Sequence, residues 1–257
     1  MKYYVVSDIH GYYDILMDTL TKAGFFAETQ PCKLIICGDL LDRGQQAKEV
    51  INFVVDMIKQ DKVILIKGNH EDLLENLLLN WENNGFEMYH HIVNGTVDTT
   101  LQISNRTEEY LYCASRAIKN AVLNSSMVKK IIPAMVDYFE TDNYVFVHGW
   151  LPCLVLSANG TTKQYKLMSS WRDATIVQWE DARWINGMVA SSQGNVLPDK
   201  TVVCGHYRCS YGHAMFGKNK GVENAEPCYD PFYADGIIAI DASVARSGKI
   251  NCIVIED

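Results

Sequence analysis

The chain has 257 residues, of which 48% are hydrophobic, and this length and composition suit one domain over residues 1–257 with a sizeable core. The formal net charge of -8, without a long basic run, argues against a nucleic acid or an anionic membrane as the main partner. No run approaches the roughly 18 apolar residues of a membrane span, and residues 1–6 lack a signal-peptide pattern. The eight cysteines form no C-x-x-C pair, which favours reduced thiols over a zinc site. We therefore expect a cytoplasmic protein.

Strands and helices alternate over the first third of the chain. Apolar runs predict strands at 3–6, 34–37 and 63–66, and helical spacing predicts helices at about 13–23, 47–60 and 72–83. This β-α-β-α-β order is typical of parallel strands joined by right-handed crossovers. In such sheets ligands bind outside the carboxyl ends of the strands.

The rest of the chain is less regular. Residues 85–142 are richer in polar residues and predict an inserted helical lobe, with helices near 107–123 and 127–135. Residues 150–200 predict loops and short helices over the site. Runs at 236–240 and 250–255 predict a hairpin of two strands that closes the domain.

Five apolar runs end at side chains that bind divalent metals. The residues at these five ends are Asp8 with His10, Asp39, Asn69 with His70, His148, and His206. Taken singly, each has an ordinary explanation: a loop Asp or His is commonly solvated, and Asn69 could cap a helix. Recurrence at five strand ends instead favours one shared metal site.

The charge of this set suits a phosphate substrate. Two divalent ions, offset by the carboxylates of Asp8 and Asp39, leave a local net charge of about +2 that would attract phosphate. In two-metal sites the ions lie roughly 3.5–4 Å apart, so one carboxylate must bridge them, and a bound water ionises near pH ~7. The sequence thus predicts a bridging hydroxide that attacks phosphorus directly.

Three further residues are candidates for the reaction. The leaving alkoxide needs a proton, and His70 is placed to give it, with Asp42 as the carboxylate that keeps the imidazole charged and oriented. Arg43 offers a planar fork of donors that matches phosphate oxygens. A surface salt bridge is the alternative role for Arg43.

The order Asp-x-His, Gly-Asp-x-x-Asp-Arg-Gly, Gly-Asn-His-Glu, His-Gly and Gly-His spans residues 7 to 206. This order resembles the calcineurin-like metallophosphoesterases of the phosphoprotein phosphatase superfamily, and among them bacterial and phage Ser/Thr/Tyr phosphatases and symmetrical dinucleoside tetraphosphate hydrolases. The resemblance implies an α/β fold of two mixed β-sheets packed face to face and flanked by helices. It also implies a ligand partition, with Asp8, His10 and Asp39 on one metal and Asp39, Asn69, His148 and His206 on the other.

The same resemblance implies a second phosphate-binding arginine between His148 and His206, and Arg183 is preferred over Arg172. The chain departs from the family pattern at Trp150 and Tyr207, which follow the His-Gly and Gly-His motifs. Aromatic bulk near the mouth of the site could stack a nucleobase or flank a phosphotyrosine, or it could simply pack the loops.

The first functional hypothesis is a two-metal-dependent Ser/Thr protein phosphatase, with phosphotyrosine also possible. The alternative is a hydrolase of dinucleoside polyphosphates or another small phosphoanhydride, and a third option is a non-catalytic binding module. The expected cofactors are two divalent metal ions, Mn²⁺ first, with Fe/Zn combinations as the alternative. The expected partner is a phosphorylated protein or a small phosphate ester or anhydride, without nucleic acid or membrane.

Overall fold

The computed structural model describes residues 1–83, 85–159, 162–217 and 226–257. The strands in these ranges are β1 (Lys2–Val6), β2 (Cys32–Cys37), β3 (Val63–Ile66), β4 (Phe139–Glu140), β5 (Tyr144–Phe146), β6 (Cys153–Asn159), β7 (Thr162–Leu167), β8 (Thr201–Cys204), β9 (Phe232–Ala234), β10 (Ile237–Ala239) and β11 (Ile253–Glu256). The helices are α1 (Tyr13–Ala23), α2 (Ala47–Lys59), α3 (Asn69–Leu79), α4 (Tyr89–Asn94), α5 (Thr96–Ser104), α6 (Tyr110–Cys113), α7 (Ser115–Leu123), α8 (Ile176–Ala182), α9 (Gly187–Ser192), α10 (Cys209–Met215) and α11 (Val244–Ser247).

The strands form two mixed sheets and a separate hairpin. The first sheet has the order β11-β1-β2-β3, in which β1, β2 and β3 are parallel and β11 is antiparallel. The second has the order β4-β5-β8-β10-β9, in which the three central strands are parallel and both edge strands are antiparallel. Within the described ranges, strands β6 and β7 pair with each other and with no other strand. The parallel β1-β2-β3 order predicted from the sequence is confirmed.

The two sheets pack face to face across an apolar layer. Tyr3, Val5 and Ile35 of the first sheet join Phe146 and Val203 of the second in one buried cluster. The rings of Tyr3 and Phe146 lie with their centroids 6.3 Å apart. Helices α1 and α2 cover the outer face of the first sheet, and a tryptophan-containing cluster covers the second. This layered α/β architecture is the predicted one.

Helices α1 and α2 follow the predicted positions closely, and α3 both begins and ends earlier than predicted. Helix α1 buries Leu16 and Leu20 against the first sheet and ends at Gly24, whose φ of 86° is a left-handed conformation that glycine adopts without strain. Helix α3 starts at Asn69, earlier than predicted, because the Glu71 carboxylate accepts a hydrogen bond from the Gly68 N–H at 2.8 Å and closes the first turn.

The helical segment between β3 and β4 packs on the main core. The predicted helix at 107–123 is interrupted at Ala114, and residues 89–104 contribute two further helices, α4 and α5. Val97 of α5 and Ile118 of α7 belong to the same buried cluster as α1 and α2. The insertion therefore shares its apolar face with the sheet domain.

The predicted closing hairpin is wrong. Strand β10 pairs with β8 and β9 in the second sheet, whereas β11 pairs with β1 in the first. An apolar run identifies a strand without naming its partner, and here each run completes a different sheet. The 150–200 segment also contains the β6–β7 hairpin, where only loops and short helices were predicted. Among the described residues, no helix combines the length and apolarity needed to traverse a bilayer.

Candidate active site

The loops that follow β1, β2, β5 and β8 are joined by hydrogen bonds at one edge of the two sheets. The His10 N–H donates to the Asp39 carbonyl at 3.0 Å, and the Gly205 N–H donates to the His148 carbonyl at 2.8 Å. The His206 N–H donates to Asp8 Oδ2 at 2.9 Å, which links the two sheets. The predicted ligands are thereby brought together from strand ends far apart in sequence.

Backbone strain is concentrated at these loops. Among the described residues, nine residues other than glycine have positive φ, and six of them are predicted site residues. These six are Asp8, His10, Asp39, Asp42, Arg43 and His206. Such conformations cost energy in L-residues and persist where the surroundings over-determine them, which is common at functional sites.

Gly38 shows why glycine flanks the ligands. Its φ is 81°, and an added Cβ would lie 2.5 Å from Nδ1 of His148. No larger residue fits without displacing that imidazole. The glycine next to Asp39 is therefore required by the approach of a predicted ligand from the other sheet.

Asp39 lies between two groups of predicted ligands. Its Oδ2 is 3.7 Å from His10 Nε2, and its Oδ1 is 3.3 Å from His148 Nε2. Ligand atoms of Asp39, His148 and His206 all lie within 4.8 Å of one another. Asp8 Oδ1 lies 3.9 Å from the same His10 Nε2, so Asp8, His10 and Asp39 form the other group. This geometry suits a carboxylate that bridges two cations.

The group formed by Asp39, Asn69 and His148 suits a cation for a further reason. The Nδ1 of His148 lies 2.8 Å from the Cys37 carbonyl, which can only accept, so Nδ1 carries the proton and Nε2 presents a lone pair. That lone pair faces Asn69 Oδ1 at 2.8 Å and Asp39 Oδ1 at 3.3 Å. Three acceptors thus converge with no proton between them, which a cation would stabilise.

The protonation tendencies agree with this arrangement. Burial lowers the pKa of His10 and His148 well below the ordinary value, and burial lowers the pKa of His206 to about 3, so all three imidazoles are neutral at pH 7, the form in which histidine binds metals. Burial raises the pKa of Asp8 and Asp39, and for Asp8 the nearby Asp241 and Asp39 add to it. Divalent ions bound beside Asp8 and Asp39 would supply the positive charge that stabilises the ionised carboxylates.

His70 and Asp42 form a buried pair beside these ligands. The Nδ1 of His70 donates to Asp42 Oδ2 at 2.7 Å. Burial alone lowers the pKa of His70, but the Asp39 charge and the bond to Asp42 outweigh it and raise the pKa above its usual value. Two hydroxyls of α5 hold Asp42: Thr96 Oγ1 donates to Oδ2 at 2.9 Å, and Thr99 Oγ1 donates to Oδ1 at 2.5 Å.

Arg43 lies beside the imidazoles of His10 and His70. Its Nη1 donates to His10 Nε2 at 2.7 Å, and its Nη2 lies 3.1 Å from His70 Nε2. The residue is exposed, so its guanidinium can also meet a ligand that enters from solvent. This position agrees with the predicted phosphate contact.

Two acidic residues of the site were missed as functional residues. Glu71 accepts backbone hydrogen bonds from Asp39, Leu40 and Gly68 at 2.8–3.1 Å and so fixes two ligand loops to each other. Asp241 follows β10 and is buried close enough to Asp8 to raise its pKa. The run at 237–240 followed by Asp241 repeats the pattern of the other five strand ends, and that signal could have found it.

The predicted second phosphate clamp is contradicted by its contacts. Arg183 is only 4% exposed; its Nη1 donates to Asp72 at 2.7 Å and its Nη2 donates to Asp137. Both terminal nitrogens are thus bound to carboxylates, which makes Arg183 a structural residue. The alternative, Arg172, pairs with Glu140.

The two aromatic residues that depart from the family pattern, Trp150 and Tyr207, lie in different environments. Trp150 is 1% exposed and donates its Nε1–H to the Asn195 carbonyl at 3.1 Å, so it packs the core. Tyr207 is 40% exposed, and its ring lies 5.1 Å from that of His206. Of the two, Tyr207 provides aromatic surface beside the predicted ligands.

Residues 1–220 match the calcineurin-like phosphoesterase family. The chain belongs to this family. The resemblance found in the sequence motifs is confirmed, and divalent metal ions are the cofactors that membership in this metallophosphoesterase family implies.

Curated relatives match over short segments. The chain is 36% identical over 85 residues to the asymmetrical bis(5'-nucleosyl)-tetraphosphatase PrpE of Anoxybacillus flavithermus, covering 31% of this chain and 35% of the relative. It is 38% identical over 71 residues to the symmetrical bis(5'-nucleosyl)-tetraphosphatase of Buchnera aphidicola subsp. Baizongia pistaciae, covering 28% of this chain and 24% of the relative. These matches span about a third or less of the relatives' length.

A solved structure supports the fold over the whole chain. A cold-active protein tyrosine phosphatase aligns with 99% of this chain and 73% of its own, with a TM-score of 0.56 and 16% identity. At this identity the likeness speaks to architecture alone. The two-sheet arrangement of this chain is therefore shared with that structure.

Proposed function

We propose that the protein is a metal-dependent hydrolase of phosphoric esters. The observation that carries the proposal is the position of Asp39, which lies between two groups of buried ligand atoms and within 3.8 Å of the His70 imidazole. A candidate cation-binding centre and a candidate proton donor thus share one edge of the sheets. Membership in the calcineurin-like phosphoesterase family supports the same reaction class.

The residues divide into two metal-holding sets. Asp8, His10 and Asp39 would hold one ion, and Asp39, Asn69, His148 and His206 would hold the other. When bound, the ions supply an activated water as nucleophile and stabilise charge on the phosphoryl group. Mn²⁺ is the proposed metal, with Fe/Zn combinations as the alternative, because mixed nitrogen and oxygen ligands accept several first-row ions.

His70 would protonate the leaving oxygen. Its Nδ1 is committed to Asp42, so Nε2 is the ring nitrogen left to face a substrate. The hydrogen bond to Asp42 and the charge of that carboxylate favour the protonated form that an acid catalyst needs. Arg43, whose donors already lie beside Nε2, would bind the phosphate oxygens next to that proton.

The first substrate class that we propose is a phosphoserine or phosphothreonine protein, with phosphotyrosine as a possible variant. Arg43 and Trp184 at the rim are exposed, so a side chain presented from another protein's surface can reach the centre. The phosphorylated residue would enter with its phosphate toward Arg43.

A second class is favoured by a specific observation. A cleft beside His206 is lined by three arginines, Arg43, Arg208 and Arg246, and we call it the arginine cleft. A cluster of this charge suits a substrate with several phosphates. The curated relatives named bis(5'-nucleosyl)-tetraphosphatase agree with a dinucleoside polyphosphate or another small phosphoanhydride.

A substrate panel tests the proposal. The metal-reconstituted protein is assayed on phosphoserine, phosphothreonine and phosphotyrosine peptides, diadenosine tetraphosphate and an aryl phosphate, with and without chelator. Turnover should require metal, and the ratio of kcat/KM values should identify the substrate class. Full activity after complete chelation, or no turnover of any of these phosphates, would contradict the proposal.

A further inference from the structure

The arginine cleft extends the site beyond the predicted metal ligands. Its volume is about 520 Å³, and its wall runs from Arg43 and His206 to Arg208 and Arg246, with Asp241 between them. Three guanidinium groups against one carboxylate give the cleft a positive charge in a chain whose net charge is -8. An anion is therefore attracted to this cleft against the field of the whole protein.

The arginines of the cleft are not committed to carboxylates. Within the described part of the chain, no carboxylate oxygen lies within 4.0 Å of a guanidinium nitrogen of Arg43, Arg208 or Arg246, whereas Arg172 and Arg183 both form such ion pairs. The planar forks of Arg208 and Arg246, which are both exposed, remain available to phosphate oxygens, which match them in geometry.

The second half of the cleft is built on fixed backbone. The Cys209 N–H, next to Arg208, donates to the Asp241 carbonyl at 2.8 Å. The Ser243 N–H donates to Asp241 Oδ1 at 2.6 Å, at the start of the short helix that carries Arg246. Both arginines thus project from segments that are anchored to the loop after β10. Such anchoring reduces the conformational entropy that these two segments lose when a ligand binds.

A second cavity beside the predicted ligands is acidic. Its volume is about 690 Å³, and it is lined by four carboxylates, those of Asp72, Glu75, Glu180 and Asp181. Asp72 and Glu75 are paired with Lys67, and Asp72 also with Arg183, so Glu180 and Asp181 carry most of its negative charge. The charge distribution therefore favours the arginine cleft over this cavity for the non-scissile phosphates.

An aromatic cavity continues the arginine cleft. Its volume is about 440 Å³, and it shares Tyr207 and Tyr211 with the cleft. Its other aromatic side chains are Tyr165, Trp184 and Phe216. Trp184 is 49% exposed, so its ring is available for stacking with a planar ligand. Positive charge followed by aromatic surface matches a polyphosphate followed by a nucleobase.

We propose that the arginine cleft is a second phosphate subsite, in which Arg208 and Arg246 bind the non-scissile phosphates of a nucleoside polyphosphate while the aromatic cavity holds its base. The inference rests on the proposed function with its second substrate class, a polyphosphate whose scissile phosphate lies at Arg43. Arg208 and Arg246 thereby select substrates with a phosphate chain over simple monoesters.

The kinetic test uses Arg208→Gln, Arg246→Gln and the double variant of the metal-reconstituted protein. Each single change should lower kcat/KM for diadenosine tetraphosphate about tenfold, mainly through KM, because a charge-assisted contact to phosphate is lost. The ratio of this kcat/KM to that for an aryl phosphate should fall as well. Arg116→Gln on α7 removes the same charge outside the cleft and should leave the ratio unchanged. An unchanged ratio in the double variant, or a loss confined to phosphopeptides, would overturn the inference.

A binding measurement separates this inference from the proposed function. Inorganic tripolyphosphate is titrated calorimetrically into the protein held in chelator, where turnover is not needed. The double variant should bind at least tenfold more weakly than Arg116→Gln, and Tyr207→Ser should reduce the advantage of ATP over tripolyphosphate. Equal affinities would remove the subsite even in an active phosphatase. Arginine-dependent binding without any turnover would keep the subsite and remove the proposed function.

Discussion

The Nδ1 of His70 donates to Asp42 Oδ2 at 2.7 Å, and both side chains are buried. This bond fixes the ring so that Nε2 points away from its partner and toward the predicted substrate position. The Asp42 charge also favours the imidazolium form. The pair is therefore arranged to deliver a proton.

Removal of the acid should slow poorly activated esters most. His70→Asn should lower kcat for a phosphoserine peptide by about 10²–10⁴-fold, and Asp42→Asn by somewhat less, because an alkoxide leaves badly without a proton. An aryl phosphate, whose leaving group is already stable, should lose less. Bound metal, measured by elemental analysis, should stay at the wild-type level. Equal losses on both substrates would assign His70 another role.

The insertion contributes to this pair through α5. Thr99→Val keeps the shape of the side chain but removes its hydrogen bond to Asp42 Oδ1 and the acceptor for the Asp42 N–H. We expect kcat to fall about tenfold with little change in KM, since the loss displaces the pair without touching bound phosphate. Thr100→Val, whose hydroxyl donates to the Val97 carbonyl, is the matched control. If both variants lose the same activity, α5 acts through general stability.

Arg183 should matter for stability more than for phosphate binding. Arg183→Gln removes the partner of Asp137 and leaves Asp72 paired with Lys67 alone, so it should lower the free energy of unfolding by about 2 kcal/mol. Urea denaturation measures this loss, and KM for an aryl phosphate should stay within about threefold of wild type. Arg172→Gln breaks a pair whose arginine side chain is 46% exposed and should cost less than about 1 kcal/mol. A tenfold higher KM for Arg183→Gln at unchanged stability would restore its predicted role as a clamp.

His91 should make stability depend on pH. Burial lowers the pKa of His91 from 6.5 to about 4, while the unfolded chain titrates near 6.5. Between these values the unfolded state binds a proton that the folded state does not, so stability should fall as the pH drops from about 6.5 to about 4. Below about pH 4 this contribution stops changing.

A neutral amide at the same position tests the assignment. His91→Gln keeps a group that can bond to Asn76 but does not titrate, so its free energy of unfolding should vary less with pH across this window. Urea denaturation at several pH values measures the slope, and His90→Gln, at the exposed neighbour, is the control. Equal slopes in wild type and His91→Gln would exclude His91 as the titrating group.

Local patterns predicted much of the site because its residues follow one rule. Asp8, Asp39, Asn69, His148 and His206 each lie just beyond a buried apolar run, and parallel strands bring their carboxyl ends to one edge. The same rule, applied once more, would have found Asp241. The helices α1 and α2 were likewise predictable, because their apolar spacing and end residues are encoded within each segment.

The remaining features depend on which segments meet. The partners of β10 and β11, the carboxylates that bind Arg183, and the α5 hydroxyls on Asp42 are contacts between residues far apart in the chain. Their side chains show no periodicity that identifies a partner. Glu71 is a further example, because two of its three backbone donors, the N–H groups of Asp39 and Leu40, lie in the loop after β2.

The sequence by itself determined the strand ends, the chemistry of the predicted ligands placed on them and the α/β class, because these follow from periodicity and from side-chain type. Only the tertiary structure decided which arginines face the site. Arg183 is neutralised by Asp72 and Asp137, whereas Arg208 and Arg246 line the cleft beside His206. The physical reason is that the role of a charge depends on the charges packed against it, and packing is fixed by the whole fold.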